Sequence, residues 1–198
     1  MQADKFNKAM AKQKNQVDAS IDKANQDQSV FVFLTGDGKG KTTSGFGMVF
    51  RALGYGQKVA VVQFIKGTQA SGEELLLRES YPDVPLIQMG TGFTWDTQNH
   101  AADKLAAERT WFEAERLLKS PSLDLLLLDE LTYMLAYQFL DEETVLNALR
   151  NRSPQLSLIV TGRGGGTSLR ELADTVSEVK NIKHAYTSGV KARLGVDY

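Results

Sequence analysis

Between Val30 and Thr43 the chain reads VFVFLTGDGKGKTT, a run of strand-forming residues that empties through three glycines into Lys41, Thr42 and Thr43. An apolar strand feeding a glycine loop and then a helix start commits the chain to an α/β layout with that strand buried. Gly36, Gly38 and Gly40 let backbone N–H groups turn inward toward an oxyanion, and the first helical turn adds unpaired donors and a partial positive charge. Asp37, Lys39 and Thr43 complete the loop. Lys41 reaches phosphate oxygens as a point charge, and the Thr42 hydroxyl stands where such loops ligate Mg²⁺. The spacing departs from G-x-x-x-x-G-K-[ST], because Thr35 occupies the first glycine position. The loop is glycine-shifted, and a nucleoside triphosphate is its expected guest.

At 198 residues the chain fits one domain with a substantial core, preceded by a polar N-terminal stretch. Its 23 basic and 24 acidic residues leave a net charge of -1, which gives no global pull toward nucleic acid or an acidic membrane. No apolar run approaches the roughly 18 residues of a membrane span, and the N-terminus lacks the apolar core of a secretory signal, so the expected location is the cytoplasm. The absence of cysteine excludes disulfides, thiolate zinc sites and a cysteine nucleophile, and His100 and His184 are too few for a histidine-rich metal site.

Residues 1–28 are polar, with a thin apolar stripe at Phe6, Met10, Val17 and Ile21 that suits a helix with one narrow sticky edge. Two readings stay open, a frayed arm or an arm docked on a partner subunit. Residues 29–198 then alternate strands with helices. Apolar strands are expected at Lys58–Phe64, Val84–Met89, Leu123–Leu128, Leu156–Thr161 and Val176–Val179. Helices are expected at Thr42–Leu53, Glu73–Ser80, Asp103–Lys119, Leu131–Leu140, Glu142–Arg152 and Ser168–Ala173. Leu105, Trp111, Phe112, Ala114, Leu117 and Leu118 are expected on the buried side of the long central helix, and Asp141 as an N-cap. This order implies a mostly parallel sheet of about six strands with right-handed crossovers.

The carboxyl ends of such strands gather ligands. Leu123–Leu128 delivers Asp129 and Glu130 there, a Walker B-like pair of which either could hold Mg²⁺ beside Thr42. Arg163, in the glycine-rich loop after Thr161, is a candidate phosphate contact, as is Lys66. Phe93 and Trp95 lie in the loop GTGFTWDTQ (Gly90–Gln98), as a wall against a flat apolar ligand or as core plugs.

Taken together, TGDGKGKTT (Thr35–Thr43), VVQFIKGT (Val61–Thr68), TGFTWDTQN (Thr91–Asn99), LDELTYM (Leu128–Met134), VTGRG (Val160–Gly164), LADTVSE (Leu172–Glu178) and KHAYTSGVKARLGVDY (Lys183–Tyr198) resemble the ATP:corrinoid adenosyltransferases of the CobA type, across nearly the whole chain. Asn is familiar in that family where Asp37 stands, and the loop after Gly164 differs in composition. The resemblance implies a three-layer, RecA-like P-loop NTPase domain. It implies transfer of the 5′-deoxyadenosyl group from ATP to the Co(I) of a reduced corrinoid, with Mg²⁺ (or Mn²⁺) and release of triphosphate held in the reverse sense to an ATPase. Gly36 to Thr43 and Arg163 would contact the nucleotide, with Lys41 stabilising the leaving group, and Thr42 with Glu130 or Asp129 would hold the metal. Phe93 and Trp95 would wall the corrinoid's lower face. A reduced flavodoxin-type donor and a homodimer whose residues 1–28 cover the partner's site are further implications. The rival reading of the same loop and acidic pair is an ATPase or kinase.

Overall fold

A computed structural model describes residues 2–65, 69–90, 99–164 and 166–198. Its centre is a six-stranded sheet in the order β3-β2-β4-β5-β1-β6, with every neighbouring pair parallel. The strands are β1 (Phe31–Thr35), β2 (Val59–Gln63), β3 (Leu86–Gln88), β4 (Leu125–Asp129), β5 (Ser157–Thr161) and β6 (Thr175–Glu178). The central ones are near-continuous apolar runs because both faces of a parallel sheet are covered by helices.

Side chains alternate between those faces. Phe31, Phe33, Val62, Leu128 and Val160 pack against α4 (His100–Leu118), α5 (Leu131–Ala136), α6 (Glu142–Arg150) and α7 (Gly166–Leu172). Leu34, Val61, Leu127 and Ile159 point the other way, onto Phe46 and Val49 of α2 (Lys41–Gly54) and Leu77 of α3 (Gly72–Ser80). Three layers result, as the α/β expectation requires. Phe46 is fully buried, so truncation to alanine would cost about 3–5 kcal/mol.

The N-terminal helix α1 (Gln2–Lys23) carries Phe6, Met10, Val17 and Ile21 exposed, at 43–64%. A 3-10 turn (Ala185–Ser188) leads into the C-terminal tail.

Two expectations need correction. Leu105 and Phe112 are 48% and 67% exposed and lie off the buried stripe of α4, which runs through Ala107, Trp111, Ala114 and Leu118. Those four are spaced by four, three and four residues, so each stays over the core, whereas Phe112 sits about 100° around the helix from Trp111. The helix expected over Leu131–Leu140 stops at Ala136, and Gln138 takes a left-handed φ of 55°. That reversal turns Phe139 and Leu140 back into the core at 4% and 8% exposure, with Phe139 N–H donating to the Met134 carbonyl. Asp141 caps α6 as expected, its carboxylate accepting from Thr144 N–H at 2.8 Å.

Candidate functional site at the carboxyl edge of the sheet

β1 ends at the buried Thr35, whose hydroxyl donates to the Gly164 carbonyl at 2.7 Å and ties the phosphate loop to the loop after β5. Gly36 has φ 98°, and a Cβ there would overlap the Val179 carbonyl. At Gly38 a Cβ would come within 2.7 Å of the carbonyls of Val179 and Lys180. These two glycines therefore serve close approach of the chain leaving β6, and the Gly38 N–H is spent on Val179 O at 2.7 Å. Gly40 differs, since it has open space around it and φ 116° at the N-cap of α2. The Asp37 carboxylate turns to the same returning chain and accepts from Asn181 N–H at 3.2 Å.

Lys41 is only 6% exposed, and its ammonium donates to the Gly38 carbonyl at 2.9 Å. Burial pulls its pKa below the ordinary 10.5; the nearby Glu130 charge opposes that fall and Arg163 adds to it. Asp129, 2% exposed, is held on both oxygens. Oδ1 accepts from Thr42 Oγ1 at 3.0 Å and Thr161 Oγ1 at 2.6 Å, while Oδ2 accepts from Gln63 Nε2 at 3.0 Å. Glu130 comes next in a left-handed conformation, φ 59°, an uncommon placement for a residue with a side chain. Its N–H donates to Thr161 Oγ1 at 3.0 Å, and its Oε2 is buried with no hydrogen-bond partner. Burial first, and the Asp129 charge second, push the Glu130 pKa up to about 7.

A divalent cation fits this donor set. The Thr42 hydroxyl and the two carboxylates, one of them with the orphaned Glu130 Oε2, are hard ligands of the kind that Mg²⁺ takes. Among the described residues no three His, Cys, Asp or Glu side chains gather into a metal cluster, so a cation here would draw its remaining ligands from phosphate oxygens and water.

These groups line one cavity of about 970 Å³, together with Tyr133 and Arg163. Tyr133 has its pKa raised by burial and by the Glu130 charge. Arg163 is exposed, and its carbonyl accepts from Thr132 Oγ1 at 2.8 Å, a contact that needs glycine next door because a Cβ at Gly162 would overlap the Thr132 hydroxyl. Phe93, Trp95 and Lys66 lie outside the described residues.

Sequence reasoning missed the place of the C-terminal tail at the cavity. His184 and Gly195–Tyr198 form a wall of the cavity, and Asp197 Oδ1 meets Lys39 Nζ at 2.9 Å. The tail KHAYTSGVKARLGVDY entered the sequence reading only through the family resemblance, and nothing periodic in it places it against the phosphate loop. Gln63 was also missed, although a lone amide in the strand VAVVQ is an anomaly legible in the sequence.

The fold is similar to that of the flagellar accessory protein FlaH from Methanocaldococcus jannaschii, with a TM-score of 0.50 at 9% identity over 76% of this chain and 71% of that one. The sequence is far more specific. The family model for ATP:corrinoid adenosyltransferase BtuR/CobO/CobP matches residues 27–198. The corrinoid adenosyltransferase of Escherichia coli (strain K12) is 48% identical over 198 residues, covering 100% of both chains. The chain belongs to the ATP:corrinoid adenosyltransferase family. Corrinoid adenosyltransferase CobA of Salmonella typhimurium is 46% identical over the same full length, and the Pseudomonas aeruginosa corrinoid adenosyltransferase is 43% identical over 96% of this chain and 93% of its own. Among ATP:corrinoid adenosyltransferases, then, this chain aligns from its polar arm through to the tail that walls its cavity.

Proposed function

We propose that this enzyme transfers the 5′-deoxyadenosyl group of ATP to the Co(I) of a reduced corrinoid in adenosylcobalamin synthesis and salvage, with the cavity over the phosphate loop as its active site. The observation that carries this reading is the convergence of Lys41, Thr42, Asp129 and Glu130 on one cavity at the carboxyl edge of the sheet. The pair of electrons on Co(I) attacks C5′, the C5′–O bond breaks, and its electrons leave with triphosphate. Co(I) is itself a strong nucleophile, so the protein needs no base or nucleophile of its own.

The protein's work is placement and charge. Lys41 and the loop from Gly36 to Thr43 hold the leaving triphosphate, with Arg163 at the cavity rim. Thr42 with Asp129 or Glu130 would hold Mg²⁺ (or Mn²⁺), which supplies neutralisation of charge developing on the phosphates. Lys39, which meets Asp197 at 2.9 Å on the wall of the same cavity, is a further phosphate contact. Phe93 and Trp95 wall the lower face of the corrinoid and favour four-coordinate cobalt, easing reduction of Co(II) by a flavodoxin-type donor. Residues 1–28, with their exposed stripe, form an arm over the site of a partner in a homodimer, and residues 29–198 form the catalytic domain. No helix among the described residues is long and apolar enough to cross a membrane, and the need for ATP and a reduced corrinoid favours the cytoplasm as the place of reaction.

The test is incubation of the protein with ATP, Mg²⁺ and chemically reduced cobalamin. Formation of a light-sensitive alkylcobalt spectrum is expected, and an unchanged corrinoid spectrum would overturn the reading.

A further inference from the structure

Gln63 is the one polar side chain of β2 and is 2% exposed. A buried primary amide must satisfy both its N–H and its C=O ends, a demand that leucine would avoid. Both ends are satisfied here, and in one direction. Gln63 Nε2 donates to Asp129 Oδ2 at 3.0 Å, Gln63 Oε1 accepts from Gln88 Nε2 at 2.8 Å, and Gln88 Oε1 accepts from Arg78 Nη2 at 2.9 Å. The chain of bonds crosses the carboxyl ends of β4, β2 and β3 in their spatial order and finishes on α3. Arg78 is braced in turn by Glu74, whose Oε1 accepts from Arg78 Nε at 3.0 Å.

The polarity of this chain is set from its ends. A guanidinium can only donate and a carboxylate can only accept. Turning over Gln88 would set its N–H groups against the guanidinium and its oxygen against Gln63 Oε1. Turning over Gln63 would set an oxygen against Asp129.

We propose that Arg78 is a positioning residue of the nucleotide site, acting through Gln88 and Gln63 to lock the Asp129 carboxylate so that its Oδ1 faces Thr42. The inference rests on the reading of the loop as a triphosphate site. With Oδ2 tied to Gln63 and Oδ1 to Thr161 and Thr42, the carboxylate cannot rotate about its Cβ–Cγ bond. The Thr42 hydroxyl spends its proton on Asp129, which turns its lone pairs toward the loop. Without the chain, the Gln63 amide is no longer held with its N–H toward Oδ2, that hydrogen bond weakens, and the Asp129 contact that orients Thr42 loosens. Outer partners that orient ligands in this way are worth about 10- to 100-fold in metal affinity.

Gln88→Glu gives the discriminating test in the full-length protein. A carboxylate at position 88 keeps the contact with Arg78 but sets an oxygen against Gln63 Oε1, so some stability is lost under either role; a merely structural role predicts unchanged binding, and binding is the discriminating readout. It has no N–H for Gln63 Oε1, and Gln63 can relieve that clash only by inverting and presenting its oxygen to Asp129. Titration calorimetry with inorganic tripolyphosphate and Mg²⁺ should show binding weakened about tenfold or more in Gln88→Glu. Arg78→Ala, at a half-exposed position, should weaken it in the same direction, and Arg78→Lys, which still only donates, should recover most of the loss. Wild-type affinity in both Gln88→Glu and Arg78→Ala overturns the proposal. Lys41→Ala separates the two claims: if it binds tripolyphosphate as well as wild type does, the phosphate-loop reading itself fails and takes the positioning role with it.

Discussion

The Thr42 hydroxyl donates to Asp129 Oδ1 at 3.0 Å across 87 positions of sequence. One residue opens the helix after the glycine loop and the other closes the strand β4, so the contact exists only if β1 and β4 end at the same edge of the sheet. Asp129→Asn keeps the shape but places N–H groups where Gln63 or the two threonines donate. A lost acceptor of this kind costs about 1–3 kcal/mol of stability. Adenosyl transfer should fall by about 100-fold with a raised Mg²⁺ requirement, read from kcat against metal concentration. Wild-type metal dependence would contradict the assignment.

Lys41→Ala removes the buried ammonium that faces Glu130 and the loop carbonyl of Gly38. Turnover should drop by at least about 100-fold, the scale of losing a preorganised charge in a water-poor site. Near-normal kcat/KM in this variant would refute the leaving-group role.

Glu130 predicts a pH dependence for the metal-free protein. Its folded pKa of about 7 lies above the ordinary 4.5, so the folded state binds the proton more tightly than the unfolded chain does. The associated stability is fully present below about pH 4.5, is lost as pH rises to about 7, and is flat beyond; the interval corresponds to about 3 kcal/mol at most. Melting curves of wild type and Glu130→Gln in chelator should show that wild-type decline between pH 4.5 and 7 and no matching decline in the variant. Parallel curves would remove Glu130 as the cause.

Gly36 and Gly40 should respond differently to alanine. At Gly36 the added Cβ meets backbone of the chain leaving β6, which has no flexible end to give way. At Gly40 only the positive φ is penalised, by about 1–2 kcal/mol. Gly36→Ala should lower the melting temperature more than Gly40→Ala; the reverse order would contradict the steric argument.

Phe93→Ala and Trp95→Ala should slow the reaction that starts from Co(II) far more than the one that starts from prereduced Co(I). Equal losses with both substrates would count against a wall at the lower face.

The sheet and the placement of the phosphate loop and Asp129 at its carboxyl edge were legible in the sequence for one reason. Buried parallel strands are continuous apolar runs, and the residues just after each run must stand at the carboxyl edge, so LDLLLL announced Asp129 as surely as VFVFL announced the loop. Helix α4 was read correctly at Trp111, Ala114, Leu117 and Leu118, but its stripe also runs through the small Ala107, and counting large apolar residues added Leu105 and Phe112, which are exposed. The tail's place at the cavity was not legible, since Asp197 acquires it from Lys39, more than 150 positions away in the chain. The direction of the Gln63 amide likewise depends on Gln88 and Arg78, which no local pattern joins to it.

The central claim is that the loop grips an outgoing triphosphate while cobalt takes the sugar carbon. Phosphorus NMR of a reaction containing ATP, Mg²⁺ and fully reduced cobalamin tests it most directly. The account predicts inorganic tripolyphosphate in step with formation of the cobalt–carbon bond. ADP and orthophosphate as the sole phosphorus products would contradict it.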